Sequence, residues 1–87
     1  MIEVKQAQHV GGYRVALAFS TGESGVVDLE QSLWGPVFEP LRDPERFARF
    51  TLSSALHTLT WDNEADFAPE YLRDRMLEQT GVRPVKP

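Results

Sequence analysis

Apolar and polar residues alternate with a period of two through the first third of the chain. Ile2-Glu3-Val4-Lys5-Gln6 has the pattern of a half-buried strand, and Gly11-Gly12 then interrupts it. The alternation is clearest in Tyr13-Arg14-Val15-Ala16-Leu17-Ala18-Phe19, where Tyr13, Val15, Leu17 and Phe19 share one face, predicted to be the core face. Ser20-Thr21-Gly22-Glu23 carries turn residues and Gly25-Val26-Val27-Asp28-Leu29 resumes a β-rich run, so the second and third strands are predicted to pair as an antiparallel hairpin.

Gly35-Pro36 and Glu39-Pro40 then break any regular period, leaving room for a helical turn over Leu29 to Leu33. Asp43-Pro44-Glu45 is a helix start, because an Asp cap, a proline first and an acid just inside satisfy the free N–H groups and the dipole. A short helix over Pro44 to Arg49 follows. Phe50-Thr51-Leu52 and Leu56 to Trp61 are rich in β-branched and aromatic residues and predict two further short strands, with His57 inside the second. Ala68, Leu72 and Met76 recur at intervals of four behind Pro69, which predicts an amphipathic C-terminal helix that starts at Asp66 or Ala68 and stops at Gly81. The fold class is α+β: a small antiparallel β-meander, one short helix, and a C-terminal amphipathic helix packed on the sheet. One domain spans 1–80, and 81–87 is expected to trail as a flexible tail.

At 87 residues the chain has room for one core, so its aromatic residues are core candidates before they are site candidates. The absence of cysteine sets aside a disulfide framework and thiolate metal sites, and fits a reducing, cytoplasmic compartment. Val15 to Phe19 is the longest apolar run, far short of the ~20 residues of a membrane span. No basic segment of a secretory signal follows Met1, so neither membrane insertion nor secretion is expected. A net charge of −4 disfavours direct contact with nucleic acid.

Candidate chemistry is sparse. Asp62-Asn63-Glu64-Ala65-Asp66 resembles the start of a calcium loop, yet Phe67 stands where the loop needs glycine and Arg73 where it needs a bidentate glutamate. It reads instead as a solvated turn whose last aspartate caps the helix. His9 and His57 are the two histidines. A hydrolase built on His57 with Asp62 or Asp66 lacks a nucleophile or a metal set, and Ser24 lacks the strand-to-helix elbow of a nucleophilic serine. No catalytic residue, metal site or cofactor is expected. Arg42, Arg46 and Arg49 recur at helical spacing, but Glu39, Asp43 and Glu45 interleave with them, as on a solvated face. The most informative segment is Leu33-Trp34-Gly35-Pro36-Val37-Phe38, two aromatics among helix breakers. It either lids the open face of the sheet or presents Trp34 as the anchor of a partner surface.

Four blocks carry a resemblance: Phe19-Ser20-Thr21-Gly22-Glu23 with Val27-Asp28-Leu29; Gly35-Pro36-Val37-Phe38-Glu39-Pro40-Leu41-Arg42-Asp43; Thr60-Trp61-Asp62-Asn63; and Asp66-Phe67-Ala68-Pro69-Glu70. In this order they resemble the small bacterial family known as domain of unknown function 2442, across nearly the whole chain. Where that family often has Asn-Gly before the final aspartate, this chain has Asn63-Glu64-Ala65. The resemblance implies a small α+β domain, found alone or joined to a helix-turn-helix domain, with no activity or cofactor attached. It also implies a neighbour encoded beside it, an arrangement similar to toxin–antitoxin pairs.

The leading expectation is a non-enzymatic protein-interaction module, antitoxin-like or regulatory, whose partner is encoded by an adjacent gene. Its candidate surface comprises Trp34, Phe38, Arg42 and Arg46. The alternative is a small-molecule-sensing domain with a pocket between sheet and helix lined by Tyr13, Trp34 and Trp61. Exposed edges of so short a sheet also allow a homodimer.

Overall fold

The computed structural model describes residues 1–81. Within them, β1 (Val4–His9), β2 (Arg14–Phe19) and β3 (Ser24–Asp28) form an antiparallel meander in that order. Val15, Leu17 and Phe19 of β2 are buried as their alternation predicts, while Tyr13 is half-buried against the core. β1 begins two residues later than the pattern suggested and runs on to His9. Lys5 is an extra residue between the pairs Val4↔Phe19 and Gln6↔Ala18, and this bulge changes which positions face inward. Val4 lies opposite Phe19 on the core face, and after the bulge Ala7 and His9, opposite Leu17 and Val15, take over that face. A period-two reading cannot see a one-residue slip of this kind.

A 3-10 turn, Glu30–Ser32, occupies the stretch where a helical turn was expected, and a second, Glu39–Arg42, follows. Pro40 was expected to interrupt regular structure, but it sits in the first turn, where its missing N–H is not needed. Helix α1 (Pro44–Phe47) starts at the predicted cap, with the Asp43 carboxylate accepting from the Glu45 N–H at 3.1 Å. It ends before Arg49 because the chain turns into β4 (Thr51–Ser53), which pairs antiparallel with β5 (Thr58–Thr60). The Val4 N–H donates to the His57 carbonyl at 2.9 Å and joins this hairpin to the outer side of β1.

Helix α2 (Pro69–Thr80) closes the fold, burying Leu72, Met76 and Leu77. Gly81 terminates it in the left-handed region at φ 74°, its N–H donating to the Leu77 carbonyl at 3.0 Å. The expected cap is corrected: Ala68, not Asp66, precedes the first turn, and no side chain caps it. Helix and sheet approach closely because β3 has a glycine facing α2. A Cβ on Gly25 would sit 3.3 Å from Met76 Sδ. Glu23, in the β2–β3 turn, and Arg73 on α2 form a bidentate pair at 2.6 and 2.7 Å, each side chain about one-fifth exposed (21% and 19%).

That pair makes a pH prediction. The Arg73 guanidinium first, and the Thr21 hydroxyl second, hold the Glu23 carboxyl below its ordinary range. A carboxylate whose folded pKa is depressed contributes stability above its unfolded value of ~4.3, and that contribution is lost as pH falls through the folded value. Glu23→Gln is therefore expected to lower Tm near neutral pH and to flatten the decline of Tm with acidification below about pH 5. Parallel Tm–pH curves for the two proteins would mean that the pair does not brace the helix.

Both outer sheet edges are partly occupied. The Gln79 carboxamide accepts from the Asp28 N–H at 2.6 Å and donates to the Asp28 carbonyl at 2.8 Å, closing the β3 edge at that residue. β1 is met at Val4 by the β4–β5 turn. The segment from Val82 onward, where most of the expected tail falls, lies outside the described residues. Among the described residues no helix is long and apolar enough to cross a membrane.

Candidate functional site: an aromatic groove

The segment Leu33–Phe38 divides between core and surface. Leu33 is fully buried and Phe38 packs against the core, while Trp34 stands 72% exposed. Phe38 stacks on Phe67 with ring centroids 4.5 Å apart, and Phe67 stacks on Tyr71 at 5.5 Å with planes 6° from parallel. The Arg75 guanidinium lies 5.7 Å from the Tyr71 ring centre, at the far end of the row. Trp34, Phe38, Phe67 and Tyr71, with Ser32, Asp66 and Ala68, line a surface groove of about 380 Å³.

The loop that carries Trp34 is held from three sides. Arg42 donates to the Leu33 carbonyl at 3.0 Å, Asn63 donates to the Val37 carbonyl at 2.9 Å, and the Glu39 N–H donates to the Gly35 carbonyl at 2.9 Å. Across the groove the Tyr71 and Ser32 hydroxyls are bonded at 2.7 Å. The Tyr13 hydroxyl donates to the Arg42 carbonyl, fixing the backbone of the residue that holds Leu33. Trp34 is thus an exposed indole on a loop fixed at both ends.

Asn63 is available for this task because of the turn it sits in. The Trp61 N–H donates to the Ala65 carbonyl at 3.0 Å, the Glu64 N–H to the Trp61 carbonyl at 3.1 Å, and the Asn63 side chain accepts from the Ala65 N–H at 3.2 Å. Glu64 is forced to φ 67°, the left-handed region in which a side chain is strained. Glu64→Gly is expected to raise stability by about 0.5–1 kcal/mol, or a few degrees of Tm for a domain of this size. Denaturant unfolding checks it, and an unchanged or lower midpoint would show that the left-handed turn carries no strain.

Of the four candidate surface residues, Trp34 and Phe38 line the groove. Arg42 is turned to its loop from behind, and Arg46 pairs with Asp62 at 3.4 Å instead of joining the lining. The helical spacing of Arg42, Arg46 and Arg49 does not become a stripe, because the chain is extended at Asp43 between the 3-10 turn and α1. His57 is corrected from strand to turn: it lies at φ 58° before β5, and its ring faces Glu3 at 3.4 Å, not Asp62 or Asp66. Tyr13, Trp34 and Trp61 do not share a pocket between sheet and helix. The Tyr13 and Trp61 rings pack on Phe47, and the Trp61 indole donates to the Phe47 carbonyl at 2.9 Å. Sequence reasoning left out Phe67 and Tyr71. Phe67 is buried, at 6% exposure, as a core aromatic would be, and Tyr71 lies one turn ahead of the Arg75 that covers it.

Comparison with known proteins places the fold. The crystal structure of a "Putative DNA Binding Protein" from Nitrosomonas europaea superposes with a TM-score of 0.78 at 29% identity, covering 93% of this chain and 52% of that one. The chain thus spans about half the length of that protein. No curated protein matches it. Residues 4–77, from the first strand to the last buried turn of α2, match the family described as protein of unknown function (DUF2442), and the chain belongs to that family.

Proposed function

We propose that this domain is a non-enzymatic protein-interaction module, the antitoxin-like or regulatory member of a two-protein system, and that the aromatic groove is its docking surface. The exposed Trp34, fixed beside the Phe38–Phe67–Tyr71 row, carries the reading. Exposed tryptophan and tyrosine at the centre of a preformed apolar patch are the side chains that dominate binding energy at protein interfaces. The Nitrosomonas europaea protein's name attaches DNA binding to a chain about twice this one's length. The name does not say which part of that chain contacts DNA, and the shared half is the part we assign to partner recognition. The net charge of −4 supports that assignment, since an acidic domain is repelled by phosphates.

The test is light scattering on the domain alone and co-expressed with the product of the adjacent gene, for the wild type and for Trp34→Ala. A complex formed by the wild type and lost with Trp34→Ala supports the reading. A complex indifferent to Trp34 removes the groove from it, and no complex removes the two-protein system. A second reading, small-molecule sensing, is favoured by the size of the groove, which falls in the ~300–1,000 Å³ range of ligand sites. It requires that an aromatic or apolar compound raise the Tm of the wild type but not of Trp34→Ala.

A further inference from the structure

Taking the groove as a docking surface, we propose that its occupant is an arginine side chain on a basic segment of the partner protein, stacked on Trp34 and paired with the Asp66 carboxylate. The lining sets the charge of that occupant. Asp66 is the only carboxylate or cation among the lining residues. Among the described residues its side chain has no hydrogen-bond or ion-pair partner. It is not engaged by the helix behind it, since no side chain caps α2, and the Ser32 and Tyr71 hydroxyls are already bonded to each other. An apolar surface laid over the groove would strip water from this carboxylate and leave it unpaired, which disfavours the complex. A tight occupant therefore brings a cation.

The cations nearest the groove are committed within the fold. Arg46 pairs with Asp62 at 3.4 Å, Arg42 holds the Leu33 carbonyl at 3.0 Å, and Arg75 pairs with Glu78. Glu70, beside Tyr71 on α2, is a second acid without an ion-pair partner among the described residues. With a net charge of −4, the domain attracts a basic segment from a distance.

The aromatic walls favour arginine over lysine. A guanidinium is planar and more weakly hydrated than an ammonium, so it can stack on a ring while its N–H fork meets a carboxylate. The fold makes the stacking contact once already, where the Arg75 guanidinium lies 5.7 Å from the Tyr71 ring centre. Phe67 is stacked between Phe38 and Tyr71, whereas Trp34 has no ring partner among the described residues and is mostly exposed. Its indole face is the one left for an incoming guanidinium.

The test follows the two indole N–H signals of the ¹⁵N-labelled full chain, assigned through Trp34→Ala. Three peptides are added in turn: acetyl-Gly-Arg-Gly-amide, its lysine counterpart, and its citrulline counterpart, which keeps the shape of arginine without the charge. The arginine peptide is expected to shift the Trp34 signal at millimolar concentration and to leave Trp61 in place. The lysine peptide is expected to bind more weakly, and the citrulline peptide about tenfold more weakly. Asp66→Asn is expected to keep the wild-type Tm, because Asp66 is exposed. It is also expected to weaken both the arginine peptide and the complex with the adjacent gene's product about tenfold. Equal shifts from the arginine and citrulline peptides, no shift from either, or arginine binding unchanged in Asp66→Asn overturns the proposal. A lysine peptide as tight as the arginine peptide overturns the assignment to arginine. If the complex depends on Trp34 but is unchanged or tightened by Asp66→Asn, the docking surface stands and only this occupant falls.

Discussion

Replacing Phe47 by alanine is expected to remove about 3–5 kcal/mol of stability, enough to leave the chain largely unfolded at 25 °C if the whole fold is worth only about 5 kcal/mol. Phe47 is fully buried at the end of a single turn of helix. The rings of Tyr13, Phe50 and Trp61 surround it at 5.4, 6.4 and 5.7 Å, and His9 closes the cluster at 6.2 Å. These neighbours come from β1, the loop before β2, the segment before β4 and the residue after β5, so one side chain holds both sheets together. The cavity left by alanine has rigid rings on several sides and cannot collapse cheaply. Denaturant unfolding or amide exchange would check it. A loss below about 1 kcal/mol would mean that the aromatic cluster repacks.

Trp34→Ala is expected to do the opposite: to change stability by no more than about 0.5 kcal/mol and to weaken partner binding by at least ~30-fold, the roughly 2 kcal/mol typical of a tryptophan anchor. An indole that is 72% exposed makes few contacts within its own fold. The Leu33 and Val37 carbonyls that hold its loop are bonded by Arg42 and Asn63 whatever side chain stands at 34. Stability and binding measured on the same preparation separate the two roles. A large loss of Tm would place Trp34 in the fold, and unchanged affinity would take it out of the docking surface.

The two variants bracket the difficulty of reading this chain. Composition treats Phe47 and Trp34 alike, as large aromatics in a domain short of core, and only neighbours from elsewhere in the chain separate them. Asn63 is more extreme. Its sequence context suggests a turn or a fragment of a metal loop, whereas its amide reaches Val37, 26 positions earlier, and holds the loop between Trp34 and Phe38. The electrostatics follow the same division. Glu23 looks like a turn residue until Arg73, 50 positions later, is brought to 2.6 Å.

By itself the sequence determined the features that depend on local geometry. The alternation of Val15, Leu17 and Phe19, the cap at Asp43, the stop at Gly81 and the hairpin at Gly22 all follow from periods and φ preferences within a few residues. The ordered blocks that resemble the family were legible for the same reason, since each is a contiguous turn or element boundary. The tertiary structure alone decided which face β1 buries after the bulge at Lys5, how far α1 extends, and where the aromatic side chains go. A bulge is one unpaired residue with no compositional mark, and a groove is a relation among residues 34, 38, 67 and 71 that no local period connects. Trp34 is exposed because Leu33 and Phe38 complete the core on either side of it, and the hydrogen bonds from Arg42 and Asn63 hold the loop that carries it.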